Sequence, residues 1–244
     1  MPVSEPAPRV TPMIRHPRRT PPSLIHLRQS LLLLLLAILT LPLLTSGCAA
    51  LGVAAQALPE PDVPARYADL KGHSVAALVW LPRGLETDYP ALRLDLTNGI
   101  LAKLKQAQST NRPELKGATF PHIAASLVRF QQDHPELEQS PIASVAPRLG
   151  VERLIYVEVE NFQTRSDQAV ELYRGSATVS VKLLEVQGNT ARVAYEESGQ
   201  PVTFPPTAPA EGVPNVGDAR TYRGTLDLLA GAIARKFYAH PPGN

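Results

Sequence analysis

The sequence predicts an α/β domain in which helices pack on one face of a mixed sheet that contains an antiparallel meander. Three segments between residues 151 and 196 alternate apolar and polar side chains, which is the period of strands with one buried face. Two longer segments, at 90–108 and 221–238, carry apolar side chains at helical spacing. Because each kind of segment must bury its apolar side, we expect the helices to cover the sheet.

The predicted domain opens with a strand and a long helix. The apolar run at 74–81, SVAALVWL, lacks helical spacing and is typical of a strand buried on both faces. We expect Trp80, at the end of this run, to belong to the core rather than to stack on a ligand. In the segment 90–108, leucines follow at helical intervals after Pro90, which suits a first helical turn.

Shorter elements are predicted in the middle of the chain. A short strand is expected at 117–121, and a second helix at 123–132. A third helix is expected to begin near Ser140 and to end at Gly150, since glycine is common just after a helix.

The second half of the domain predicts the meander and a closing helix. Strands are expected at 151–162, 176–186 and 190–196, with one face buried and the other in water. The segment 199–218 holds five prolines and three glycines and is expected to be a loop, either disordered or functional. The helix at 221–238 should pack on the sheet.

A separate pattern precedes the domain. The fifteen largely apolar residues at 31–45 follow a leader with five arginines and a single acidic residue. A stable membrane span needs about 20 apolar residues, so a cleaved secretory signal is the better interpretation than a permanent helix. The run ends just before Cys48, which is the only cysteine of the chain. The alternative is an ordinary secretory signal followed by an incidental buried cysteine.

The segment 44–48, LTSGC, resembles the lipobox of bacterial lipoproteins. The resemblance implies cleavage between Gly47 and Cys48 and acylation of the Cys48 thiol with a diacylglycerol, followed by a further acyl chain such as palmitate. Thr45 departs from the usual box, which has an aliphatic residue at that place. Ala49 is not aspartate, and family sorting rules then favour the outer membrane, with the domain facing the periplasm.

The expected organisation is therefore a signal peptide at 1–47, a lipidated N-terminus and flexible tether at 48–66, and one periplasmic domain at 67–244. The true start could be Met1 or Met13. Of the 24 basic and 22 acidic residues, 19 and 21 lie from Cys48 onward, so the mature chain is slightly acidic. This balance does not indicate nucleic-acid binding. A single cysteine allows no intramolecular disulfide.

Two passages of the domain carry a resemblance to known families. These are APRLGVERLIYVEVE, in which a helix ends before a strand, and LYRGSATVSVKLLEV. Across about 74–196 the pattern resembles uncharacterised bacterial lipoproteins, the periplasmic domain of the curli-secretion lipoprotein, and the lipoprotein activators of penicillin-binding proteins. The resemblance implies an interaction domain that faces the envelope, and it implies no pore.

The polar side of the meander supplies the candidate site. Glu158 and Glu160 share a strand face about 7 Å apart, a separation that suits the two carboxylates of an inverting hydrolase. The alternative is a solvated face on which these carboxylates pair across the sheet with Lys182 or Arg192. We favour this alternative and expect a binding face formed by five residues: Tyr156, Glu158, Glu160, Lys182 and Arg192.

Other chemistry is weakly indicated. The residues His134, Glu136 and Glu138 could be imagined as metal ligands, but a polar loop explains them better, and no second histidine stands nearby. The sequence has no nucleophile elbow, phosphate loop or dinucleotide motif. We therefore expect no catalytic residues, no metal and no cofactor.

Two functions follow from the sequence. The first is a lipoprotein held to membrane lipid through acylated Cys48, which presents a non-enzymatic binding or scaffold domain to an envelope protein or the cell wall. The second is an envelope hydrolase that uses the pair of Glu158 and Glu160.

Overall fold

The computed structural model describes residues 60–166, 171–207 and 209–243. From Glu60 onward these residues form a compact unit. The predicted signal peptide, the lipobox with Cys48 and most of the tether fall within residues 1–59, outside the described residues.

Four strands form one mixed sheet in the order β1-β2-β3-β4. Their bounds are Val75–Trp80 for β1, Arg153–Arg165 for β2, Tyr173–Gln187 for β3 and Thr190–Phe204 for β4. Strand β1 is parallel to β2, whereas the β2–β3 and β3–β4 pairs are antiparallel. The predicted α/β class, with a mixed sheet and an antiparallel meander, is confirmed.

Five α-helices accompany the sheet in the described residues: α1 at Arg83–Asp88, α2 at Leu92–Ser109, α3 at Ala124–Asp133, α4 at Ile142–Val145 and α5 at Asp218–Ala234. Short 3-10 turns lie at Pro113–Leu115, Pro135–Gln139, Ala146–Leu149 and Arg235–Phe237. Helix α1 was not predicted from the sequence. It has no buried residue and therefore no periodic apolar side. The predicted strand at 117–121 contributes only an isolated bridge between Thr119 and Ser74. Within the described ranges, no helix has the length and apolarity required to cross a membrane.

The long helices α2 and α5 pack on one side of the sheet, which we call the helix-covered face. It consists of side chains that are fully buried: Ala77, Val79, Ile155, Val157, Val181 and Leu183. At Gly175 a Cβ atom would lie 1.7 Å from Oγ1 of Thr225, so α5 approaches β3 closely. At Gly99 a Cβ atom would lie 2.9 Å from Cβ of Ala230, so α2 and α5 also approach each other closely.

The alternate residues of the same strands point to the other side, which we call the open face. It includes Leu78, Trp80, Tyr156, Glu158 and Lys182. A segment at 130–145 lies against part of this face and leaves a cleft beside it. The helix-covered face is sealed, whereas the open face is only partly covered.

Strand β4 is longer than the sequence predicted. Its pairing continues to Phe204, opposite Gly175, and passes through Pro201. Because β4 is an edge strand, the missing N–H of proline need not remove a ladder hydrogen bond. The predicted loop at 199–218 is therefore reduced to 205–217.

The domain also begins earlier than the sequence predicted. Val63 bridges to His240, and Nη1 of Arg112 lies 2.6 Å from Oδ2 of Asp62. The last part of the predicted tether at 48–66 is thus bound to the domain. Sequence composition could not show this, because backbone pairing with the C-terminal segment holds these residues.

Candidate functional site

A cleft of about 440 Å³ lies between the open face and the segment 130–145. Its floor is formed by side chains of the sheet, and its wall is formed by α3, the turn at Pro135–Gln139 and α4. The residues that line it are Leu78, Trp80, Phe130, Gln131, His134, Leu137, Glu138, Ser140, Pro141, Ile142, Ala143, Val145, Tyr156, Glu158 and Lys182.

The sheet arranges the floor in two rows. In the first row Leu78 lies beside Tyr156, and Tyr156 lies beside Lys182. In the second row Trp80 lies beside Glu158. Neighbouring strands are about 4.8 Å apart, so each row places an apolar or aromatic side chain next to a polar one.

The wall is fastened to the sheet by a side-chain hydrogen bond. Nε2 of Gln131 donates to the carbonyl oxygen of Val79 at 3.0 Å, which satisfies an acceptor at the outer edge of β1. One turn along α3, the ring of Phe130 lies 5.0 Å from that of His134. These contacts hold α3 beside β1 and place the rings of Phe130 and His134 next to each other in the wall.

Basic side chains near the cleft already have acidic partners. Nζ of Lys182 lies 3.3 Å from Oε1 of Glu196, and Nδ1 of His134 lies 3.2 Å from Oε1 of Glu136. Arg148 approaches the same Glu136 carboxylate at 3.5 Å. The Lys182 ammonium is therefore neutralised from outside the cleft.

Two carboxylates of the cleft are not neutralised in this way. Across residues 60–166, 171–207 and 209–243, no basic side chain forms an ion pair with Glu138 or Glu158. The Glu158 carboxylate lies near the Tyr156 hydroxyl on the same strand. Burial, together with that neighbouring carboxylate, raises the pKa of Tyr156 above its ordinary value of 10, so the phenol remains a donor.

The structure separates the five residues of the predicted binding face. Tyr156, Glu158 and Lys182 line the cleft. Glu160 falls at a β-bulge, does not line the cleft and accepts a hydrogen bond from the Ser180 hydroxyl. Arg192 lies opposite Glu185 and pairs with it.

The pairing of Arg192 places it apart from the cleft. Glu185 also accepts a hydrogen bond from the Tyr67 hydroxyl at 2.9 Å, which ties this ion pair to the N-terminal segment of the domain. The sequence predicted that Glu158 or Glu160 pairs with Lys182 or Arg192, but the acidic partners of these cations are Glu196 and Glu185. Bulges in the β3–β4 pair shift the register, and a simple alternation could not foresee them.

Several cleft residues were missed by sequence reasoning. Trp80 was expected in the core, yet it is half-buried and lines the cleft. Leu137 is an apolar residue in the predicted polar loop, and its isolation between two glutamates was the only available signal. His134 and Glu138 do line the cleft, but the described residues contain no group of three side chains able to hold a metal ion.

The hydrolase arrangement finds no support in this geometry. An inverting pair requires both carboxylates to flank one substrate bond. Only Glu158 of the proposed pair lines the cleft. Glu160 lies outside it and accepts a hydrogen bond from the Ser180 hydroxyl. The site offers aromatic and apolar surface together with two carboxylates, which is the composition of a binding cleft.

No family model matches the sequence, and no curated protein matches it. Among solved structures, the hypothetical protein CT253 from Chlamydia trachomatis is 22% identical with a TM-score of 0.35, over 55% of this chain and 72% of that one. The PelC dodecamer from Paraburkholderia phytofirmans is 10% identical with a TM-score of 0.40, over 74% and 95%. The lipoprotein GNA1162 from Neisseria meningitidis is 12% identical with a TM-score of 0.32, over 53% and 80%.

Proposed function

We propose that this chain is a lipid-anchored envelope lipoprotein whose domain binds another envelope protein in the cleft and catalyses no reaction. The observation that carries the proposal is the cleft itself, which combines half-buried aromatic side chains with two carboxylates that have no basic partner among the residues the structure describes. Exposed apolar surface of this kind in a protein domain marks an interaction site.

The anchor is supported by the sequence before the domain. The apolar run at 31–45 is too short for a stable span and stops just before Cys48. Each buried methylene of an acyl chain contributes about 0.8 kcal/mol, so two or three chains on Cys48 hold a protein durably at a membrane. We propose the periplasmic side of the outer membrane, because Ala49 follows the cysteine.

The length of chain between Cys48 and the domain limits how far the cleft can lie from the membrane. Fourteen residues lead from Cys48 to Asp62, the first residue that forms an ion pair with the domain. A chain of this length spans at most about 50 Å when fully extended. A partner in the same membrane, or close to its surface, is therefore within reach.

Site-specific photo-crosslinking in cells tests the binding proposal. A photoreactive amino acid replaces Ser140, which lines the cleft, or Ala102, which is exposed on α2. We expect an adduct of defined mass from position 140 and none from position 102. Equal adducts at both positions, or none at position 140 in any growth condition, would contradict the proposal.

The anchor has its own test in the same cells. In a Cys48→Ser variant the oxygen replaces the only thiol able to carry the diacylglycerol, so a metabolic fatty-acid label should be lost from the protein. The wild-type chain is the control. Undiminished labelling of the variant would rule out Cys48 as the acylated residue.

A further inference from the structure

We propose that the cleft recognises a basic side chain, arginine or lysine, together with its aliphatic stem, on the protein partner. This inference rests on the proposed binding function and specifies its chemistry. The partner is identified by charge complementarity with Glu138 and Glu158, which face the cleft from its two sides.

Two carboxylates make the cleft suitable for a cation. Glu138 belongs to the wall and Glu158 to the floor, so a group between them meets two carboxylates. Lys182, the cation on the floor, is neutralised by Glu196 at 3.3 Å. Covering Glu158 with a neutral apolar ligand would remove water from a charged group without replacement, which is unfavourable. A cation on the ligand would replace the lost water by pairing with the Glu158 carboxylate.

Aromatic side chains in the cleft can contact a basic side chain and its methylene stem. Trp80, Phe130 and Tyr156 all line the cleft. Aromatic faces attract guanidinium and ammonium groups, and tryptophan does so most strongly. They also bury the methylene stem of arginine or lysine, whose charged end then reaches the carboxylates.

The form of the two carboxylates favours one basic side chain over the other. A planar guanidinium can engage a carboxylate such as Glu158 with two parallel hydrogen bonds, whereas an ammonium acts as a point charge. We therefore expect arginine to bind more tightly than lysine.

Trp80 makes the test direct, because it is the only tryptophan and it lines the cleft. The acylated full-length mature protein, in detergent micelles, is titrated with acetyl-Leu-Arg-Leu-amide while Trp80 emission is recorded. The matched ligand is acetyl-Leu-citrulline-Leu-amide, which keeps the shape and removes the charge. We expect the arginine peptide to bind about tenfold more tightly, with an advantage that shrinks as salt rises.

Variants assign the effect to the cleft. Glu158→Gln and Glu138→Gln should each reduce the preference for arginine over citrulline several-fold. Glu211→Gln, on an exposed loop residue that carries the same charge change, should leave the preference intact. Far-ultraviolet circular dichroism of each variant checks that the domain is folded.

Three results would overturn the inference. These are equal affinity for the two peptides, an arginine preference that survives both cleft variants, and a Trp80 response to a cell-wall glycan such as chitotetraose with no response to arginine. If crosslinking at position 140 nevertheless yields a protein adduct, the proposed function stands and only the basic-side-chain chemistry fails.

Discussion

The two faces of the sheet differ although they are built from the same strands. In β2, Ile155 and Val157 are fully buried under the long helices, whereas Tyr156 and Glu158, their neighbours in sequence, are half-buried and line the cleft. The helix-covered face is apolar and sealed. The open face mixes rings and charges. The comparison indicates that the helix-covered face is buried throughout, whereas part of the open face remains accessible in the cleft.

The largest expected loss of stability comes from truncating a buried side chain of the helix-covered face. Leu183→Ala removes a fully buried side chain and leaves a cavity, which should lower the free energy of unfolding by about 2–5 kcal/mol. Urea denaturation followed by circular dichroism measures it. The adjacent change Lys182→Ala, on the open face, should stay within about 1 kcal/mol. Similar losses for both variants would contradict the division between faces.

A second substitution tests how tightly α5 seals that face. A Cβ at Gly175 would meet Oγ1 of Thr225, so Gly175→Ala should destabilise the protein by about 1–3 kcal/mol. Combining it with Thr225→Ala should recover part of the loss, because the obstructing oxygen is gone. Gly84→Ala is the control, since a Cβ there meets nothing within 4 Å and α1 gains a better helix former. A Gly175→Ala variant as stable as wild type would contradict the close packing of α5 on β3.

A smaller effect is expected from pH at the margin of the helix-covered face. Burial raises the pKa of Glu197, but hydrogen bonds from Lys236 and Tyr195 outweigh it and leave the pKa below its ordinary value of 4.5. The unfolded chain then binds the proton more readily, so this stabilisation is present above pH 4.5 and is lost as pH falls through the lowered value.

Glu197→Gln removes that titration. The variant should be less stable than wild type near neutral pH, and the difference should narrow as the pH is lowered below 4.5. Urea unfolding at a series of pH values provides the measurement. A difference that is constant over the whole series would contradict a role for this carboxylate in acid stability.

The sequence predicted the helix-covered face well and the cleft poorly. Alternation in β2 and β3 and the helical spacing of α2 and α5 follow from burial, so periodicity reveals them. The cleft wall combines Phe130, Leu137 and Ile142 from three short elements without a shared period. Its geometry depends on tertiary packing, which a pattern along the chain does not encode.

Register explains the remaining differences. Bulges at Glu160 and in the β3–β4 pair decide which charges meet, and they leave no mark in a simple alternation of side chains. Pro201 misled the prediction because proline usually ends a strand, whereas an edge strand such as β4 tolerates it.

Hydrogen exchange of the acylated protein, with and without the partner captured at position 140, tests most directly whether the open face is the binding surface. We expect added protection to be confined to the cleft wall at 130–145 and to the cleft-lining part of β2. Protection confined to the exposed sides of α2 and α5, or no change at the cleft, would contradict it.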